Sequence, residues 1–324
     1  MNRIAALLMA VALFVSTACQ RKDLLEPHNH YNVIINAHFD SLAQTQLKSL
    51  KSTYAKVGQP ASTKYILYER TTQKVASSGS FKGLSGGLYV REEGLYDLLV
   101  YTSDFHEYDA NFFRGLDNWR TSETYTRQSA IKNEASQRTD VTEVYMVEPD
   151  PTFAVMREEI AILGGNEEQV IDVEFVQKSF KYYLTIRAKG LHNIHTATMR
   201  ISGMYTTAYL TNEEHRMDEA GTQTVDLEIR LTDFDDPLGN GELYGEFWAF
   251  GPNQREDISN SITLHFINGD VIVMKLKDLT GQIKTLTKGG EIIVEEFLEI
   301  KGPAGGFQPG VGDWDDPTDV EILL

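Results

Sequence analysis

The residue with the most defined chemistry is Cys19, the sole cysteine of the 324-residue chain. A lone thiol directly behind the small residues Ser16, Thr17 and Ala18 suits acyl attachment after cleavage of a leader, not a disulfide or a redox pair. The eight histidines promise less. His28 and His30, beside Glu26, have ligand spacing for a metal, but they stand in a tether where no fold would fix their geometry. His192 and His195 flank an expected turn and read as exposed loop residues. Asp233, Asp235 and Asp236 form one acidic loop, and Asp313, Asp315, Asp316 and Asp319 another. Calcium takes about six to eight oxygens around a sharp glycine turn, and neither run has that register. No Gly-x-Ser-x-Gly, no His-Glu-x-x-His and no lysine-bearing phosphate loop occurs. Gly83 to Gly87 precedes a short strand and lacks the lysine. No catalytic residue, metal ligand or cofactor is therefore assigned, and the chain is not expected to be an enzyme. Trp119, Trp248 and Trp314 leave sugar stacking open. Trp119, in an expected loop, is the better glycan platform, whereas Trp248 lies in a strand and suits a core.

The elements that carry these residues follow from patterning. Residues 1–18 read as a signal peptide: Arg3 supplies the positive start, and Ile4 to Val15 is an uncharged run of 12 residues. That is too short to span ~30 Å of hydrocarbon but suits a cleaved leader. Small residues before the cysteine make the pattern similar to a lipobox, which places acyl chains on Cys19 and anchors residues 19–30 as a tether in an outer membrane. Net charge is −17, so a phosphate backbone would be repelled and nucleic acid is not an expected partner.

Tyr31, Val33, Ile35, Ala37 and Phe39 alternate with polar residues, the mark of a half-buried strand. From Asp40 to Val57 the period changes: Ala43, Leu47, Leu50, Tyr54 and Val57 predict one short amphipathic helix on the sheet. Strands resume at 64–70, 88–90, 95–101 and 141–147, with a polar stretch from Thr102 to Asp140 between the last two. Glu148-Pro149-Asp150-Pro151 breaks regular structure. The boundary between an N-terminal domain, 31–148, and a C-terminal domain, 152–300, is placed there. The second half alternates through 171–175, 182–188, 197–201, 225–231, 243–250, 261–267, 271–276 and 291–300. Asn268-Gly269 predicts a type I′ hairpin. So many short strands argue for an all-β protein of antiparallel sandwiches. Residues 301–324 read as an extended tail ending in Val320, Ile322 and Leu323, apt to fill a sheet edge, its own or a neighbour's.

Four stretches carry a wider likeness: Arg21-Lys22-Asp23-Leu24, Gly94-Leu95-Tyr96-Asp97-Leu98-Leu99-Val100-Tyr101, Ser202-Gly203-Met204, and Gly306-Phe307-Gln308-Pro309-Gly310-Val311-Gly312-Asp313-Trp314. Together they resemble the surface lipoproteins of the Bacteroidales related to fimbrillins and fimbrial anchor subunits. The resemblance implies two tandem transthyretin-like β-sandwich domains, a palmitate-type lipid anchor at Cys19, and assembly with fimbrial subunits by strand complementation in cell adhesion. The chain departs from that pattern in its Asp40–Val57 helix and in lacking an arginine-protease site ahead of a removable first strand. That favours an anchor or accessory role over a stalk subunit. Asp40-Ser41-Leu42 also resembles a short O-glycosylation acceptor of these bacteria, and a helix cap explains it equally.

Overall fold

The computed structural model describes residues 31–126, 128–131, 143–163, 168–212, 220–233, 235–236, 238–300 and 310–311. Strands dominate. The chain opens with β1 (Val33–His38), in which Val33, Ile35 and Ala37 are buried as the alternation requires. Two helices follow, α1 (Ser41–Lys48) and α2 (Thr53–Lys56), where one was expected. The break has local causes. Asp40 caps α1 by accepting the Ala43 N–H at 2.7 Å. Ser49 closes α1, its hydroxyl donating to the Gln46 carbonyl at 2.6 Å, and Ser52 starts a new cap for α2. Between them the Glu107 carboxylate accepts the Lys51 and Ser52 N–H groups at 3.2 and 2.8 Å. Ala43, Leu47 and Leu50 stay buried, but Tyr54 and Val57 swing outward.

Then come β2 (Ser62–Glu69), β3 (Val75–Phe81), β4 (Ser85–Leu88) and β5 (Gly94–Asp104). The polar stretch after β5 is not plain loop: it holds β6 (Asn111–Arg114), β7 (Glu123–Thr126) and β8 (Gln128–Ile131), ahead of β9 (Glu143–Met146). β10 (Phe153–Ile162), β11 (Gln169–Glu174) and β12 (Val176–Gln177) complete the first set. β1–β5 and β10–β12 form two facing sheets, ordered β11-β1-β4 and β12-β10-β5-β2-β3, around a core that includes Ile35, Leu98, Val100, Phe153 and Val173, while β6 and β7 pair apart from them.

The second set runs β13 (Phe180–Lys189), β14 (Ile194–Tyr205), β15 (Thr207–Tyr209), β16 (Ala220–Leu231), β17 (Gly241–Ala249), β18 (Asn260–Phe266) and β19 (Val271–Lys275). A short helix α3 (Thr280–Thr285) leads to β20 (Gly290–Glu299), and β21 (Gly310–Val311) ends it. The path is β19-β18-β14-β16-β17-β13-β20-β21. β16 serves both layers: Ala220 to Leu227 pairs with β14, and Glu228 to Leu231 with β17. Tyr182, Leu184 and Ile186 thereby face Met199, Ile201, Ile262 and Leu264 across a second core.

The fold is the all-β sandwich architecture read from the alternation. Three pairings are parallel, however: β1 with β11, β13 with β20, and β9 with β16. Each joins segments far apart in sequence, as parallel pairing demands.

The boundary expected at Pro149–Pro151 is not where sheet partnership changes. β10 pairs with β5 and β11 with β1, so residues after the prolines build the first sandwich, while β9, before them, pairs with β16 of the second. Domain linkers are exposed; Pro149 to Thr152 is buried. The Asp150 carboxylate accepts the Tyr108 and Ala110 N–H groups at 2.7 and 2.8 Å, and Ser179 Oγ donates to the Asp150 carbonyl at 2.9 Å. The segment is a staple.

The Asn268-Gly269 hairpin joins β18 and β19, with one difference. Gly269 has φ +94°, but among the described non-glycine residues of positive φ Asn268 is absent. Phe266 N–H donates to the Asp270 carbonyl at 2.8 Å and Gly269 N–H to the Phe266 carbonyl at 3.0 Å. That is a three-residue loop with a left-handed glycine, which a type I′ turn is not.

Several polar ties cross between the two sandwiches. Lys181 of β13, its side chain 3% exposed, pairs with Glu246 at 2.5 Å and donates to Ser49 Oγ at 2.8 Å. Within the first sandwich, Gln177 Nε2 donates to Gln46 Oε1 at 2.7 Å. Burial works against the Glu246 charge, but the hydrogen bonds from Lys181 and Tyr244 hold its carboxyl below the ordinary glutamate value. Glu148 lies at the same junction and accepts the Trp248 N–H at 2.8 Å.

Burial pushes the Glu148 carboxyl up to about 7, against the N–H of Trp248, the Tyr108 hydroxyl and the Lys181 charge, all of which lower it. A raised folded-state value favours the protonated form. Its contribution is intact below the unfolded value near 4.5 and is lost as pH climbs through 7. Glu148→Gln is therefore expected to flatten the fall of stability between pH 5 and pH 8 by roughly 2 kcal/mol. Urea midpoints of parent and variant at both pH values measure it, and parallel pH profiles would contradict it.

Candidate functional site

The residues first expected to carry function fall differently. Cys19, and the tail residues Val320, Ile322 and Leu323, lie outside the described residues, as do Glu26, His28, His30 and Trp314. Of the tail, Gly310 and Val311 are described: they pair antiparallel with Glu299 and Leu298 at the edge of β20. Trp248 is fully buried and belongs to the first core although its strand belongs to the second sandwich. His192 and His195 are exposed, as read from the sequence, but His192 lies in a 3-10 turn, Leu191–Asn193, and His195 in β14, not in a loop. The Asp233–Asp236 loop is organised by its own turns: Asp235 N–H donates to Asp233, and Asp236 accepts from Leu238 and Asn240. Among the described residues no group of three His, Cys, Asp or Glu side chains is placed to hold a metal. None of the described helices is long and apolar enough to cross a membrane, which does not bear on strands.

Trp119 is not an open platform. It begins a short 3-10 turn, Trp119–Thr121, whose cap is the Asn118 side chain. Its indole N–H donates to Gln73 Oε1 in the β2–β3 turn, the Arg120 guanidinium lies 5.0 Å from its ring centroid, and the ring packs on a small cluster with Leu99 and Tyr101. A ring held at its polar edge and covered on a face has little surface to offer a sugar. What Trp119 does is position a loop. Tyr68 OH also donates to the Leu116 carbonyl, at 2.9 Å, so residues 115–121 are clamped over the sheet at two points.

The clamped loop creates an open groove of about 480 Å³ on the outer face of β2, β3 and β5. Strand register builds its floor. Lys64 stands opposite Ser80 and Tyr101, and Ile66 opposite Ser78 and Leu99. Ile66 and Tyr101 are buried beneath, and Leu116 and Asp117 close one wall. Lys64 Nζ sits 5.1 Å from the Phe113 ring centroid and 5.9 Å from that of Tyr101, held at the rim by ring electrons. Burial raises the Tyr101 hydroxyl to about 12, so it stays a neutral donor. No sequence signal marks this groove, because its parts come from four separated segments.

An all-β sandwich protein with an open polar-rimmed groove, and no catalytic constellation among the described residues, is the class these features define. The chain belongs to the family described as a domain of unknown function, DUF5119, whose model matches residues 18–226. No curated protein matches it. Among solved structures, it is similar to a candidate adhesin from Bacteroides ovatus at 17% identity, with 88% of this chain and 97% of that one covered and a TM-score of 0.54. Similarity extends to the fimbrial anchor protein Mfa2 of Porphyromonas gingivalis at 11% identity, 83% and 90% coverage and a TM-score of 0.45. The first likeness shows a shared fold.

Proposed function

We propose that the protein is an adhesive or fimbrial accessory lipoprotein of a bacterial outer membrane, tethered through Cys19 and joined to partner subunits along a sheet edge. The observation that carries this reading is the edge of β20, where Leu298 and Glu299 are paired by Val311 and Gly310 from the tail. An edge that accepts a short extended segment is a ready template for strand addition. Each added backbone hydrogen bond contributes about 0.5–1.5 kcal/mol net. Val320, Ile322 and Leu323 lie further along that tail and supply apolar side chains for burial on the same partner. The fold shared with a candidate adhesin supports the reading, as does the uncharged run from Ile4 to Val15 ahead of Cys19. Membership in a fimbrillin-related group, palmitate at Cys19 and a cell-surface position belong to the same proposal. Sugar stacking on Trp119, the alternative expectation, lacks an open ring.

The test is affinity purification of the tagged full chain from cells that assemble fimbriae, beside a chain ending at residue 309. Fimbrial subunits are expected with the first and to be depleted with the second. A clean monomer in both cases overturns the reading.

A further inference from the structure

We propose that the groove over β2, β3 and β5 is a binding site for a short, neutral saccharide, separate from the β20 edge. The floor and the rim differ in chemistry. Ile66 and Tyr101 give an apolar base and Leu116 an apolar wall, while Lys64, Ser78, Ser80 and Asp117 surround them with one cation, one anion and two hydroxyls. Among the described residues, none of those four side chains forms a hydrogen bond with the protein, so their donors and acceptors face the groove or solvent. The rim charges cancel, which matches a neutral ligand better than a polyanion against a chain of net charge −17.

Geometry separates a sugar from a peptide here. β2 is hydrogen-bonded on one side to β3 and on the other to β5, and β5 pairs also with β10, so the base under Ile66 and Tyr101 offers no free backbone donors or acceptors, although β3 is the edge strand of the sheet. An extended peptide laid over that face would leave its own backbone groups unmatched. A pyranose instead presents an apolar C–H face and separated hydroxyls, the pattern that an apolar base with scattered polar rim groups can satisfy. The volume, about 480 Å³, lies within the usual range for small-ligand sites of about 300–1,000 Å³ and admits one or two sugar rings. Trp119 and Tyr68 have a defined part in this: they hold the loop that carries Leu116 and Asp117 at its height above the sheet.

The experiment is saturation-transfer NMR of the detergent-solubilised full chain with glucose, galactose, mannose, N-acetylglucosamine and lactose, with N-acetylneuraminic acid as the charged comparison. At least one neutral sugar is expected to bind. Ser78→Trp places an indole over the groove from an exposed position, and it is expected to weaken that binding by about tenfold or more, or about 1.4 kcal/mol, with the melting temperature unchanged. Asp117→Ala, also exposed, is the second variant and is expected to weaken it in the same direction. Three results would overturn the proposal: no neutral sugar binds, binding is indifferent to both variants, or the charged sugar binds more tightly than every neutral one. Subunit co-purification does not depend on this face, so failure here and failure of the strand-edge reading are separately visible.

Discussion

Serine in place of Cys19 is expected to move the protein from the membrane fraction into the soluble fraction. Acyl chains contribute ~0.8 kcal/mol per buried CH₂, and one chain alone holds a protein only reversibly, with an association constant of about 10⁴ M⁻¹. Durable anchoring therefore needs several chains, and Cys19 is the sole sulfhydryl that could carry them. A serine hydroxyl at that position removes every chain at once, so the change is from stable retention to none. Labelled palmitate should enter the parent and not the variant, and carbonate extraction should release the variant completely. Retention of the variant, or no label in the parent, would remove the lipid anchor from the functional reading.

The largest expected stability effect lies at Trp248. Its neighbours Leu243, Phe247 and Ala249 on β17 fill the second core, while Trp248 points the other way into the first, the core that also holds Phe153 and Phe175. It is fully buried. Trp248→Ala would leave a cavity where the two sandwiches meet, at a cost of about 3–5 kcal/mol. Trp248→Phe should cost far less, about 1 kcal/mol, because the indole N–H is buried without a hydrogen-bond partner and its removal offsets part of the lost packing. Urea unfolding followed by far-ultraviolet circular dichroism measures both. If the alanine variant lost under about 1 kcal/mol, Trp248 would not be a packing element of the junction.

How legible the molecule is in its sequence depends on where the constraint lies. β1, β13 and β14 could be read because each has one buried and one exposed face, and that alternation is written residue by residue. β10 was hidden, and its bulge explains why. Its register with β5 shifts between Arg157 and Ile160, and Glu159 sits at φ +58° with its N–H on the buried Asp97 carboxylate. Arg70 neutralises that carboxylate at 2.6 Å. A strand that slips register loses its period of two, so Phe153 to Ile162 does not look like a strand without its partner. The small strands β6, β7 and β15 hide for another reason: four or fewer residues are too short to show a period at all. The apolar stripe at Ala43, Leu47, Leu50 and Tyr54 suggested one helix, but the serines at 49 and 52 could be weighed only once Glu107, distant in sequence, was seen to take the freed N–H groups.

Sequence by itself determined the all-β class, the burial of Trp248 and the hairpin at Asn268-Gly269, because each rests on local pattern or residue type. Tertiary structure alone decided that the Pro149–Pro151 segment is a buried staple, that Trp119 is a clamp and not a platform, and that Lys64, Ser78, Tyr101 and Asp117 share one groove. The reason is physical. Strand pairing joins residues at separations the local pattern does not encode, and a groove or a junction exists only after register has been set.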